Sequence, residues 1–160
     1  MTVPWAVVIG VGNAYRRDDG IGPAVASCVE KLFIPGVFVA VSDGEPAGLL
    51  DLWAGADLAV IIDAILCEPA TPGRIRRTDL DALGRTTTTT ASTHSLGISD
   101  ALPLGCALGK FPDKLVVLAV EAARLDYGVG LSESVAAAVP RAVEAVLTEL
   151  ERGAEPTTEP

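Results

Sequence analysis

The chain has 160 residues, nearly half of them apolar, a formal net charge of −9 and a single histidine. This length suits one domain with one sizeable core. The acidic balance argues against a nucleic-acid or anionic-membrane surface, because both need clustered Lys and Arg, and no apolar run is long enough to span a bilayer.

The first half of the chain predicts strands that alternate with helices. Residues 5–11 are a short apolar run that ends at glycine, which predicts a buried strand. The next predicted elements are a helix at 20–32, a strand at 37–41, a short helix at 47–54 and a strand at 58–62 that ends at Asp63. The short helix carries apolar side chains that belong either to the core, which is favoured, or to a docking surface: Leu49, Leu50 and Trp53.

The second half continues the alternation. Residues 74–77 predict a short edge strand, and the five threonines at 86–90 predict a loop. The later predicted elements are a helix at 96–108 that contains Pro103, a strand at 115–120 and a helix at 132–150 with a kink at Pro140. The polar, Pro-containing tail 153–160 predicts disorder.

This pattern predicts an α/β fold. Several strands are apolar on both faces, as in a parallel sheet that is covered by helices on both sides. We therefore expect a single three-layer domain over residues 1–152, with a mostly parallel sheet, an antiparallel edge strand at 74–77 and a disordered tail at 153–160.

Three polar side chains are predicted to converge at one edge of the sheet. Asp19 lies on the loop that leaves the first strand, and Asp63 ends the third. If the strand order begins 2-1-3, both carboxylates reach the same crevice, and His94 on a later loop closes over them. Two carboxylates and a neutral imidazole suit a divalent first-row metal such as zinc or nickel, and they leave coordination positions open for water or substrate.

Other chemistries compete with this interpretation. Gly10-x-Gly12 resembles the start of a dinucleotide-binding fingerprint, but the third glycine is replaced by Tyr15 and the acids Asp18 and Asp19 would repel a pyrophosphate. Asp18 either orients the loop, which is favoured, or is solvated. A serine hydrolase is weakly supported, because the sequence at 97–101 is one residue short of the nucleophile-elbow pattern.

The cysteines predict the compartment. Cys28, Cys67 and Cys106 are odd in number, far apart and without a C-x-x-C pair, which favours reduced structural thiols over a disulfide framework. Cys67 is also a candidate thiol nucleophile that would pair with His94, although a structural role is favoured. Since the N-terminus lacks a signal-peptide pattern, we expect a cytoplasmic protein.

Four short segments occur in a characteristic order. They are Gly10-Val11-Gly12-Asn13 with Asp18-Asp19-Gly20-x-Gly22, Asp43-Gly44 with Ala47-Gly48, Asp63-Ala64, and His94-Ser95-Leu96-Gly97. In this order they resemble the hydrogenase maturation endopeptidases, and the resemblance covers residues 5–150. It implies a twisted mixed sheet between helices.

The resemblance also implies an activity. Members of this family remove the C-terminal extension of a nickel–iron hydrogenase large-subunit precursor after nickel insertion. The family's catalytic and metal-contacting positions correspond to Asp19, Asp63 and His94, with nickel supplied by the substrate or another divalent metal in the free site. Some members have Glu at the first position, so Asp19 is shorter by one methylene.

The partner implied by the resemblance is the large-subunit precursor. We expect no nucleic-acid partner and no membrane partner, and the oligomeric state is left open. Two other functions stay open. One is a non-catalytic, nickel-dependent assembly factor, and the other is a nucleotide-binding oxidoreductase domain.

Overall fold

The computed structural model describes residues 4–81 and 96–154. The threonine run, His94 and residues 155–160 of the predicted tail lie outside these ranges. The described elements are β1 (Ala6–Val11), a 3₁₀ turn (Arg17–Gly20), α1 (Ile21–Glu30), β2 (Val37–Ser42), α2 (Pro46–Trp53), β3 (Leu58–Ile65), β4 (Ile75–Asp81), α3 (Leu96–Leu108), β5 (Lys114–Glu121) and α4 (Glu133–Ala154).

The strands form one five-stranded sheet in the order β2-β1-β3-β5-β4. The first four strands of this order are mutually parallel, and β4 pairs antiparallel with β5 at the edge. The predicted fold class, the 2-1-3 start of the strand order and the antiparallel edge strand are therefore confirmed. β1 and β3, which carry the candidate site, are central neighbours.

Helices cover both faces of the sheet, as predicted. Alternate strand residues face opposite ways, so Val8 of β1 packs with α1 and α4 while Val7 packs with α2 and α3. Trp53 is fully buried on the same face of the sheet as Val7, and its indole Nε1 donates a hydrogen bond to the carbonyl oxygen of Lys110 at 2.9 Å. Since Leu49 and Leu50 are buried as well, the core interpretation of this helix is confirmed and the docking interpretation is wrong.

β3 is longer than predicted. It extends to Ile65, so Asp63 lies inside the strand instead of ending it. The reason is the ladder with β5, which continues from Asp63 opposite Ala119 to Ile65 opposite Glu121, beyond the end of the pairing with β1.

α4 also exceeds its prediction, because it ends at Ala154, beyond the expected start of the tail at residue 153. Gly153 lies where an added Cβ would come within 2.7 Å of Leu58, so the last turn packs on the domain. Pro140 does not end this helix. An interior proline costs about 3 kcal/mol, and the buried stripe of Val135, Ala138, Ala142, Val146 and Leu150 offsets that cost.

The described helices include none that combines the length and the apolar character needed to cross a membrane.

Candidate functional site

The glycines after β1 allow its loop and α1 to lie directly on the strand ends. A Cβ on Gly22 would sit 2.2 Å from the carbonyl oxygen of Val11 and 2.7 Å from that of Ile62. A Cβ on Gly10 would sit 2.2 Å from the oxygen of Gly22. Gly12 has φ +144°, and a Cβ there would meet the backbone oxygen of Asp19 at 1.9 Å. These glycines therefore serve close backbone packing, which accounts for their spacing without a bound phosphate.

Asp18 is fully buried and clamps two loops together. One carboxylate oxygen accepts hydrogen bonds from the backbone N–H groups of Ala123 and Arg124 and from the Ser132 hydroxyl, each at 2.8 Å. The other accepts from the backbone N–H of Ser132 at 2.7 Å. Burial alone would raise the pKa of Asp18, but these hydrogen bonds outweigh it and the pKa lies below its ordinary value. The favoured structural role is thus supported, and the solvated alternative is wrong.

Asp19 follows Asp18 in the 3₁₀ turn but has different hydrogen-bond partners. Its carboxylate accepts a hydrogen bond from the backbone N–H of Asn13 at 2.8 Å, and its own N–H donates to the carbonyl oxygen of Arg16. The side chain is partly exposed. The hydrogen bond with Asn13 therefore fixes Asp19 in the loop after β1, and its partial exposure leaves it accessible to a ligand.

Asp63 stands near the carboxyl end of β3 and is 3 % exposed. One of its carboxylate oxygens accepts a hydrogen bond from the backbone N–H of Ala64 at 2.8 Å. Its neighbour Ile62 is paired with Gly10 and contacts the first turn of α1. Asp63 is thus placed beside the loop that carries Asp19.

The structure brings together the segments that carry two of the three predicted site residues. The 3₁₀ turn that contains Asp19 packs against β3, which contains Asp63. His94 lies outside the described residues, so its predicted place in the site stays a prediction. Within residues 4–81 and 96–154, no three His, Cys, Asp or Glu side chains are grouped closely enough to hold a metal ion.

Cys67 is a poor candidate for a nucleophile. Burial raises the pKa of its thiol, and so do the charge of Glu121 and the hydrogen bond with it. Glu121 is itself buried, yet its pKa is lowered, because the backbone N–H of Thr71 and the guanidinium of Arg76 donate to it. The half-buried thiol of Cys67 therefore stays protonated near neutral pH. Its hydrogen bond with Glu121 joins the segment after β3 to the end of β5.

The sequence pattern did not predict a role for the segment between β5 and α4. Its contribution comes from the backbone N–H groups of Ala123 and Arg124, which no side-chain pattern reveals. Ser132 offered one signal, because a serine directly before a helix is a typical N-cap. Its carbonyl oxygen accepts the first α4 hydrogen bond, from Ala136, at 2.8 Å.

Comparisons with known proteins agree on one family. The sequence profile described as "Hydrogenase maturation protease" matches residues 36–149. The Hydrogenase 2 maturation protease of Escherichia coli (strain K12) is 34% identical over 146 residues, which cover 90% of this chain and 89% of that protein. A putative hydrogenase maturation protease of Methanocaldococcus jannaschii is 30% identical over 156 residues, covering 91% of this chain and 96% of that protein.

The fold agrees as well. The solved structure of the hydrogenase maturating endopeptidase HybD from E. coli superposes with a TM-score of 0.78 at 28% identity, covering 93% of both chains.

Proposed function

This chain belongs to the hydrogenase maturation protease family, and from that premise we propose a specific activity. It is an endopeptidase that removes the C-terminal extension of a nickel–iron hydrogenase large-subunit precursor after nickel has been inserted. The bound nickel belongs to the substrate and is the feature that the enzyme recognises.

The observation that carries this proposal is the placement of Asp19 and Asp63. They stand on a loop and a strand that pack together at the carboxyl edge of the sheet, where ligands of open α/β sheets bind. Carboxylate oxygens are suitable ligands for a divalent first-row metal. His94, which is predicted from the sequence to lie in the same site, would supply the nitrogen.

Two routes to peptide hydrolysis fit these residues. In the first, the substrate's nickel polarises the scissile carbonyl or lowers the pKa of a bound water. In the second, a carboxylate takes a proton from the attacking water as general base. Asp63, which is 3 % exposed and lies near the carboxyl end of β3, is the carboxylate that we assign to this second role.

The test compares two forms of the same precursor. Nickel-loaded and nickel-free precursors are incubated with the protein, and the products are weighed by mass spectrometry. We expect one shortened subunit and one C-terminal peptide from the loaded form only. Absence of that peptide would reject the protease. Nickel-dependent binding without cleavage would favour the assembly-factor alternative, and cleavage of both forms would reject nickel recognition.

We propose the cytoplasm as the compartment. Cys28, Cys67 and Cys106 are all unpaired, and free thiols are typical of reducing compartments.

A further inference from the structure

Three large side chains project into solvent beside the candidate site. Tyr15, Tyr127 and Val129 are 71%, 83% and 76% exposed. Tyr15 belongs to the loop that carries Asp19, and the other two belong to the segment between β5 and α4. We call these three residues the tyrosine surface.

The two loops that form the tyrosine surface are bonded to each other. The backbone N–H of Gly128 donates to the carbonyl oxygen of Tyr15 at 2.9 Å, and the N–H of Arg17 donates to the oxygen of Gly128 at 2.9 Å. The Arg17 guanidinium lies against Gly128, where a Cβ would come within 2.6 Å of it. Together with the hydrogen bonds of the buried Asp18, these contacts fix the backbone of the two loops that carry the exposed side chains.

Distance along the chain places the tyrosine surface within reach of any macromolecule bound at Asp19. Tyr15 precedes Asp19 by four positions, so their Cα atoms are separated by at most about 14 Å. A stable protein interface covers about 800 Å² on each partner, a disc about 16 Å in radius. A folded substrate whose contact area is centred on Asp19 therefore reaches Tyr15 and the segment that is hydrogen-bonded to Tyr15.

We propose that the tyrosine surface is the docking surface for the folded part of the large-subunit precursor. This inference rests on the proposed function and deepens it. Tyrosine is enriched at interface hot spots, because its ring buries a large area while few torsions are immobilised. Exposed aromatic and apolar side chains such as these fit an apolar patch on the precursor. Around the tyrosine surface, Arg17 and Arg124 pair with Asp126, which gives a polar rim.

The test separates docking from chemistry. Tyr15→Ser and Tyr127→Ser are compared with Phe33→Ser, a matched control. Phe33 is 85% exposed but lies before β2, at the amino edge of the sheet away from Asp19. Two quantities are measured for each protein: the steady-state kcat and KM with nickel-loaded precursor, and the Kd for fluorescently labelled precursor.

Each tyrosine variant is expected to raise KM and Kd about tenfold with kcat unchanged, whereas Phe33→Ser leaves both at the wild-type values. Unchanged Kd in both tyrosine variants would overturn the proposal, and so would an equal rise in Phe33→Ser. Sedimentation must show that no variant changes the oligomeric state, because loss of a wild-type dimer would assign the surface to a second copy. The Kd values remain decisive even if the wild-type protein binds the precursor without cutting it.

Discussion

Asp18 and Ser132 are joined by two hydrogen bonds, 2.7 Å from the serine backbone nitrogen and 2.8 Å from its hydroxyl oxygen to the carboxylate. They connect the 3₁₀ turn after β1 to the residue directly before α4, although the two residues are 114 positions apart. The residue next to Asp18 is the candidate site residue Asp19. One buried carboxylate thus links the last helix to the loop on which a ligand would bind.

The Asp18 clamp is predicted to be a major source of stability. Ser132→Ala removes one hydrogen bond and should lower the free energy of unfolding by about 1 kcal/mol, while Ser132→Thr keeps a hydroxyl and should restore most of it. Asp18→Ala leaves the backbone N–H groups of Ala123, Arg124 and Ser132 without this acceptor and should cost about 3 kcal/mol. Urea unfolding followed by circular dichroism measures all three. Equal stability of Ser132→Ala and wild type would contradict the assigned bond.

The same carboxylate predicts a pH dependence. Since the pKa of Asp18 is lower in the folded protein than its ordinary value of 3.8, its contribution is present above that value. It is lost as the pH falls through the folded-state pKa. The stability difference between wild type and Asp18→Asn should therefore be largest at about pH 6 and shrink towards about pH 2. Asp51→Asn, on the exposed side of α2, is the control, and a difference between wild type and Asp18→Asn that stays constant with pH would refute the prediction.

Two helical glycines allow a matched test of the close packing on the sheet. Gly22→Ala places a methyl group 2.2 Å from the Val11 oxygen, so α1 must shift away from the ends of β1 and β3. We expect a loss of about 3 kcal/mol in the free energy of unfolding. Gly48 lies in α2, where the nearest atom to an added Cβ is a Glu45 carboxylate oxygen at 3.4 Å. Gly48→Ala should therefore be neutral or stabilise by up to about 1 kcal/mol. A similar loss in both variants would show that the clash is not the cause.

Substitution of the proposed site residues should abolish precursor processing without unfolding the protein. Asp63→Asn keeps the shape of the side chain but removes its charge, and His94→Ala removes the proposed nitrogen ligand. Each should reduce precursor processing about 100-fold or more while circular dichroism stays unchanged. Asp51→Asn, an acid on α2 that is largely exposed, is the control and should process normally. Full activity in Asp63→Asn or His94→Ala would remove that residue from the site.

Much of the fold and part of the candidate site could be predicted from the sequence, because they depend on patterns of apolar residues and glycines. The apolar runs of β1 and β3 and the glycines between β1 and α1 reveal buried parallel strands and a close helix start. What escaped prediction depends on pairing between distant segments. Asp63 was predicted to end the strand because the apolar run stops at Ile62, whereas the ladder with β5 extends the strand to Ile65. The partners of Asp18 escaped for the same reason.

The Cys67–Glu121 contact predicts selective thiol reactivity. The raised pKa of Cys67 leaves little thiolate near neutral pH, so iodoacetamide should modify Cys67 more slowly than the exposed Cys106. Glu121→Gln removes the neighbouring charge, which lowers the pKa of the thiol and should accelerate modification of Cys67 while the rate at Cys106 stays constant. Peptide mapping by mass spectrometry at several times measures both rates in one sample. If Cys67 reacts as fast as Cys106 in the wild-type protein, the thiol is not held protonated by Glu121, and its rejection as a nucleophile would have to be withdrawn.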